Sequence, residues 1–240
     1  GIIKPSVPCV VGPQPDEALE VIEAVAQRLQ APTFIYGQHW HVYEERNRLV
    51  YQDERGLLDL PLPVLPGAHQ IYNAGATLAA LRHLDLPETG FEAAVTRAHW
   101  PARLQRLKTG PLKDMAPEAD LWLDGGHNAA AGHALASHLA QQSLRPTYLI
   151  CGMLNTKDVT GYLAPMAPYV AELLAVSIPG EANTLPAETT ATAAKSVGMT
   201  ATAADTVKAA LTKILKSDPA SRILICGSLY LAGQILRENA

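Results

Sequence analysis

The sequence predicts an α/β protein whose larger part is a mostly parallel sheet flanked by helices, and three observations carry that expectation. Short apolar runs of strand length alternate with stretches of helical periodicity through the second half of the chain. Several of these runs end in glycine-containing turns that open the next helix, as in Leu121-Trp122-Leu123-Asp124-Gly125-Gly126-His127-Asn128. With 240 residues, 48% hydrophobic and 18% charged, the chain is long enough for two cores.

Taken in order, 7–11 reads as a strand. Pro15, Asp16 and Glu17 then open a helix with the apolar stripe Leu19, Ile22, Val25, Ala26 and Leu29, because proline and acidic side chains both suit a first turn. The next strand is 33–36. From Gln38 to Leu60, short polar and apolar alternations around Arg46-Asn47 and Glu54-Arg55-Gly56 predict antiparallel hairpins. A helix starts near Ala68 with Ile71, Ala74, Leu78 and Leu81 on its buried side and Asn73 just off that stripe, and another covers 91–98. Trp100-Pro101-Ala102-Arg103 breaks the pattern and places a hinge there, with a domain boundary near residue 98. Beyond it, strands are expected at 121–124, 148–151, 172–176 and 223–226. Helices are expected at 129–142, 159–167, 186–197, 206–216 and 229–238, with a short strand near Met199.

The turn after 121–123 sets Asp124 and His127 at the carboxyl end of a strand, beside the unpartnered N–H groups of a helix whose N-cap is Asn128; that geometry suits an anionic ligand. The plain alternative is that Asp124 hydrogen-bonds the turn and His127 is a solvated or capping residue. Steps of six and five residues between His127, His133 and His138 do not put two imidazoles on one helix face, which argues against a metal pair. The stretch Arg222 to Tyr230 repeats the pattern of an apolar strand followed by Gly227 and Ser228 at a helix start. Asp124, His127 and Ser228 therefore face a common site if the two strands are neighbours. Neither a G-x-G-x-x-G nor a G-x-x-x-x-G-K-[ST] pattern occurs in the 240 residues. A net charge of -4 without a Lys/Arg cluster argues against nucleic-acid binding, and no apolar run reaches transmembrane length. Cys9, Cys151 and Cys226 lie in apolar runs and read as small core residues of a reducing compartment, hence a cytoplasmic protein.

Six collinear stretches carry a wider resemblance: Gly1-Ile-Ile-Lys-Pro, Gly67-Ala-His-Gln-Ile-Tyr-Asn-Ala, Trp100-Pro-Ala-Arg-Leu-Gln, Leu123-Asp-Gly-Gly-His-Asn, Gly152-Met-Leu-Asn-Thr-Lys-Asp and Gly227-Ser-Leu-Tyr-Leu. Together they resemble the folylpolyglutamate synthase and dihydrofolate synthase family of the Mur ligase superfamily. The resemblance implies the end of a central ATP-binding domain over 1–98, followed by a Rossmann-like, mostly parallel C-terminal glutamate-ligase domain over 99–240. It implies a monomeric ligase that uses ATP and Mg²⁺ to join glutamate to dihydropteroate or folate through an acyl phosphate. Position by position, Asn73 matches an asparagine that hydrogen-bonds adenine and Arg103 an interdomain arginine that reaches ATP. Asp124 and His127 match the catalytic pair on the nucleotide and glutamate side of the cleft, and Ser228 matches a serine of the glutamate pocket. The plain readings are a helix-edge amide for Asn73, a linker salt bridge for Arg103 and a helix N-cap for Ser228. Lys157 and Asp158 match a family turn, for which a charged helix start is explanation enough.

Ala102, Gly126 and Ala129 depart from the family's usual Gly, Ala and Pro. The family's phosphate-binding loop, magnesium-binding histidine and carbamylated lysine match positions before Gly1, and Lys4 is not that lysine. The 240 residues are therefore expected to be a C-terminal portion with no metal ligand and no turnover of its own. The alternatives are a non-catalytic binding module that keeps the ligase fold, or another Mur-type amino-acid ligase.

Overall fold

In the computed structural model, which describes residues 1–143 and 145–239, the chain divides into two units, Gly1–His99 and Trp100–Ala240. The first begins with a parallel pair, β1 (Cys9–Val11) and β2 (Thr33–Ile35), joined by α1 (Asp16–Arg28). A three-stranded antiparallel sheet follows: β3 (Trp40–Glu45), β4 (Arg48–Asp53) and β5 (Gly56–Pro61). Arg46 and Asn47 turn the first hairpin with φ of 49° and 61°, the left-handed pair that a two-residue loop needs to match strand twist. Two helices, α2 (His69–His83) and α3 (Phe91–Thr96), complete the unit, and Trp40, Leu49, Tyr51, Leu78 and Phe91 form the centre of its core.

The buried face of α2 differs from the expected stripe. It comprises Gln70, Ala74, Gly75, Leu78, Ala79 and Arg82, while Ile71 and Leu81 are only half-buried. Gly75 is the reason: a Cβ there would run into Val42 and Trp40, so the bare glycine lets α2 settle directly on β3. Cys9, expected in the core, is half-buried, and along α1 only Ala26 is fully buried.

The second unit is a six-stranded sheet in the order β10-β9-β8-β11-β7-β6, parallel except at its β6 edge. These strands are β6 (Gln105–Arg106), β7 (Asp120–Leu123), β8 (Thr147–Cys151), β9 (Glu172–Ala175), β10 (Ala201–Ala203) and β11 (Arg222–Cys226). The helices are α4 (Pro111–Met115), α5 (Ala129–Ala140), α6 (Val159–Leu163), α7 (Ala187–Ser196), α8 (Val207–Ser217) and α9 (Leu229–Glu238). Two departures from the sequence reading stand out. The stretch 104–119, for which the sequence predicts no element, supplies β6 and α4. The helix expected over 159–167 tightens to a 3₁₀ turn at Ala164–Tyr169, because Pro165 and Pro168 have no N–H to give to an α-helical ladder.

Alternate residues along each strand serve opposite faces. Leu149, Cys151, Leu224 and Cys226 pack with α5, α6 and α7; Leu121, Leu123, Ile150, Ile223 and Ile225 pack with α4, α8 and α9. β7 thus feeds α5 on one face while its neighbour β11 feeds α9 on the other. Such a reversal between adjacent parallel strands opens a crevice at their carboxyl ends. No helix among the described residues is long and apolar enough to cross a membrane.

At the opposite end, His138 of α5 meets the Trp122 ring edge-on at 5.6 Å. Burial, reinforced by the Arg222 charge and opposed by that of Asp124, holds its pKa below the ordinary histidine value. Below about pH 6.5 the unfolded chain takes up a proton at this position that the folded chain resists, so stability falls as pH drops through that range. His138→Gln is expected to flatten the decline in urea-unfolding stability between pH 7.5 and pH 5.5. An unchanged slope would mean that the imidazole titrates as it does in the unfolded chain.

Candidate functional site

The pairing of β7 with β11 supplies the adjacency that the sequence left open: Leu121 to Leu123 register with Ile223 to Ile225, and the Asp124 amide continues the ladder to the Ile225 carbonyl at 3.0 Å. Their two turns therefore emerge side by side. A Cβ on Gly125 would strike Leu229 at the start of α9, and one on Gly227, at a φ of 104°, would strike the Gly152 carbonyl and the Cys151 thiol. The turns after β7, β8 and β11 form one cluster at the switch point.

Asp124 holds that cluster together. The residue is 4% exposed, and its carboxylate accepts the amide N–H of Leu104 at 2.8 Å and of Gly126 at 2.7 Å. The first of these bonds ties in the segment before β6, which is also anchored by the Gly125 amide donating to the Ala102 carbonyl at 2.8 Å. Arg103 lies between these two anchors, half-buried, and its guanidinium makes no ion pair with any described residue. Both its neighbours are left-handed, Ala102 at φ 55° and Leu104 at φ 43°. Such backbone costs about 1 kcal/mol or more per non-glycine residue and persists only where the surroundings enforce it. The position of Ala102 thus has a geometric reason to favour glycine.

His127 Nδ1 lies 2.9 Å from the Gly125 carbonyl. A carbonyl only accepts, so Nδ1 carries the proton and Nε2 of the neutral ring keeps its lone pair. Asn128 caps α5 by accepting the Ala131 amide at 2.9 Å. Ser228 is 2% exposed and caps α9 by accepting the Tyr230 amide at 3.0 Å, which leaves its hydroxyl proton available to a ligand. Asp158 caps α6 by accepting the Gly161 amide at 2.9 Å, in keeping with a charged helix start.

Of the sequence candidates, Arg103, Asp124, His127 and Ser228 all belong to this one end of the second unit. Asn73 belongs to the first unit, exposed on α2, where its amide donates to Gln70 Oε1 at 2.9 Å. It borders a notch of about 80 Å³ with Pro63, Leu65, Thr77 and Val95. What the sequence does not reveal is the left-handed backbone on either side of Arg103; the break at Trp100-Pro101-Ala102-Arg103, which predicts a hinge, is its one signal.

A family model described as dihydrofolate synthetase, C-terminal domain, matches residues 105–238. The folylpolyglutamate synthase of Lacticaseibacillus casei is 25% identical over 247 residues, which cover 98% of this chain and 54% of that protein. The Mycobacterium tuberculosis folylpolyglutamate synthase complexed with ADP and AMPPCP superposes with a TM-score of 0.81 at 26% identity, covering 96% of this chain and 55% of that one. A bifunctional folylpolyglutamate synthase/dihydrofolate synthase with Mn, AMPPNP and L-glutamate bound matches with a TM-score of 0.80 at 25% identity, over 99% of this chain and 54% of that one. The chain spans about half the length of these relatives.

Proposed function

We propose that this chain, which belongs to the dihydrofolate synthetase family by its C-terminal domain, forms the nucleotide and glutamate side of an ATP-dependent ligase that joins glutamate to dihydropteroate or folate. The observation that carries this reading is the convergence of Arg103, Asp124 and His127 at the β7–β11 switch point, the place where an open parallel sheet takes its ligands.

The reaction class explains the residue types. Attack of an amine on an acyl phosphate passes through an anionic tetrahedral intermediate, so fixed donors and cations around it lower the barrier. Arg103 offers a planar guanidinium fork to phosphate oxygens. His127, held by its Nδ1 proton, presents Nε2 to take a proton from the incoming ammonium group, which must be neutral to attack. Asp124 positions both, through the Leu104 amide on one side and the Gly126 amide on the other. The Ser228 hydroxyl points the reading to a carboxylate of glutamate, and Asn73 to the adenine ring. Among the described residues no three His, Cys, Asp or Glu side chains form a metal-ligand set. Mg²⁺ would travel on the nucleotide phosphates, where it would offset their charge. A monomeric cytoplasmic enzyme remains part of this proposal.

Calorimetric titration with L-glutamate and with ADP tests it. Glutamate binding is expected to weaken by about tenfold or more in His127→Ala, and ADP binding by a similar factor in Arg103→Ala, the usual effect of losing one charge-assisted contact. Glutamate binding without ADP binding would favour the non-catalytic module. Binding of neither ligand, in a chain with intact secondary structure, would remove the reading.

A further inference from the structure

The amino end of the same sheet carries donors without matching acceptors. Arg222 opens β11 and is 5% exposed. Its guanidinium donates to the Thr147 hydroxyl at 3.2 Å and more weakly to the Ser143 hydroxyl at 3.4 Å, while its Nε has no partner. Among the described residues no carboxylate pairs with it. Strand register puts Asp120 beside it, but Asp120 is bonded to Arg106 at 2.6 Å. The Arg222 amide donates to the Pro146 carbonyl at 3.0 Å, which brings the preceding residue in the chain, Arg145, to this end of the strand. Burial lowers the Arg222 pKa, Asp120 works against it, and the Arg145 charge adds a smaller lowering. Arg106 lies over the Trp122 ring at 5.8 Å, and the buried Trp122 Nε1 also lacks an acceptor.

A cation withdrawn from water costs several kcal/mol unless charge or hydrogen bonds replace its hydration. Here the Asp120 carboxylate is bonded to Arg106, and the hydroxyls beside Arg222 are neutral. The missing element is a compact negative charge with several acceptor oxygens, the shape that guanidinium groups bind best. We propose that Arg222, Arg145 and Ser143 form a binding site for a small oxoanion of the phosphate class, at the opposite end of the sheet from the ligase site and independent of that reading. Arg222 supplies the buried charge, while the more accessible Arg145 and Ser143 receive the anion at the surface.

The test is urea unfolding of the intact chain at constant ionic strength, with chloride exchanged for inorganic phosphate and, in a second arm, for ribose 5-phosphate. Saturable stabilisation by phosphate at millimolar concentration is expected, with apparent affinity reduced about tenfold or more in Arg145→Ala, a half-exposed position whose replacement leaves the core untouched. Stabilisation by ribose 5-phosphate as well would assign the site to phosphate esters; stabilisation by phosphate alone would assign it to the free ion. Phosphate also stabilises proteins by exclusion from their surface, but that effect does not saturate and is blind to Arg145. A second readout follows from His138, which feels the Arg222 charge: its pKa, read by NMR, is expected to rise when an anion offsets that charge. Equal, non-saturating stabilisation in wild type and Arg145→Ala, with an unmoved His138 pKa, would overturn the proposal.

Discussion

Replacing Arg82 with alanine is expected to destabilise the first unit by about 3–5 kcal/mol, the loss typical of breaking a buried ion pair from one side. The Arg82 side chain is 5% exposed and that of its partner Asp53 is 11% exposed. The guanidinium bonds Asp53, the Gly56 carbonyl at 2.9 Å, and Glu88 Oε1 through Nε at 3.0 Å and Nη2 at 2.8 Å, and it lies over the Tyr51 ring at 5.4 Å. Without it, Asp53 keeps the Tyr51 hydroxyl and the Arg55 amide as donors but loses its counter-charge. Burial and that hydroxyl's bond to Asp53 push the Tyr51 pKa well up, so the phenol stays protonated and can offer Asp53 only a neutral donor. Asp53→Asn in the Arg82→Ala background should restore part of the loss, because the uncompensated charge is the larger penalty. Amide hydrogen exchange in β4 and β5 reads the effect within this unit. A loss below about 1 kcal/mol, the range of solvent-screened surface pairs, would show that water reaches Asp53.

The second large effect is expected at Asp124. Asp124→Ala leaves the buried Leu104 amide and the half-buried Gly126 amide without their carboxylate, and hydrogen bonds to a charged acceptor contribute about 1.5–3 kcal/mol each. Hydration of Gly126 recovers some of this, so about 3–4 kcal/mol is expected for the second unit. Asp124→Asn keeps one acceptor and is expected to lose about half as much. A functional effect should accompany the stability effect, because the Leu104 bond helps hold a left-handed segment that places Arg103. Both variants, under conditions where they remain folded, should therefore weaken ADP binding as Arg103→Ala does. Wild-type ADP affinity in a folded Asp124→Ala chain would separate Asp124 from the placement of Arg103.

The parts of this molecule that were legible in the sequence are those governed by local periodicity. Leu229–Glu238 forms the helix expected for it, and Asn128 caps α5 as its position suggested, because a stripe every three or four residues and a side-chain oxygen at a helix start act over one or two turns. The half-buried Ile71 and Leu81 show the limit of the same reasoning. Which arc of a helix is covered depends on how near the neighbouring strand can come, and Gly75 set that distance.

The sequence by itself determined the α/β class, the turns that end the strands, and the residue types at them: a carboxylate, an imidazole and a hydroxyl, each at a strand's carboxyl end. Only the tertiary structure decided that β7 lies beside β11, so that turns 103 residues apart share one crevice, and that the segment around Arg103 is bound to Asp124 instead of serving as a free linker. The reason is physical. Helix stripes and caps draw on neighbours along the chain, whereas the order of strands in a parallel sheet is set by crossovers and face-to-face packing between residues that nothing in the local pattern connects.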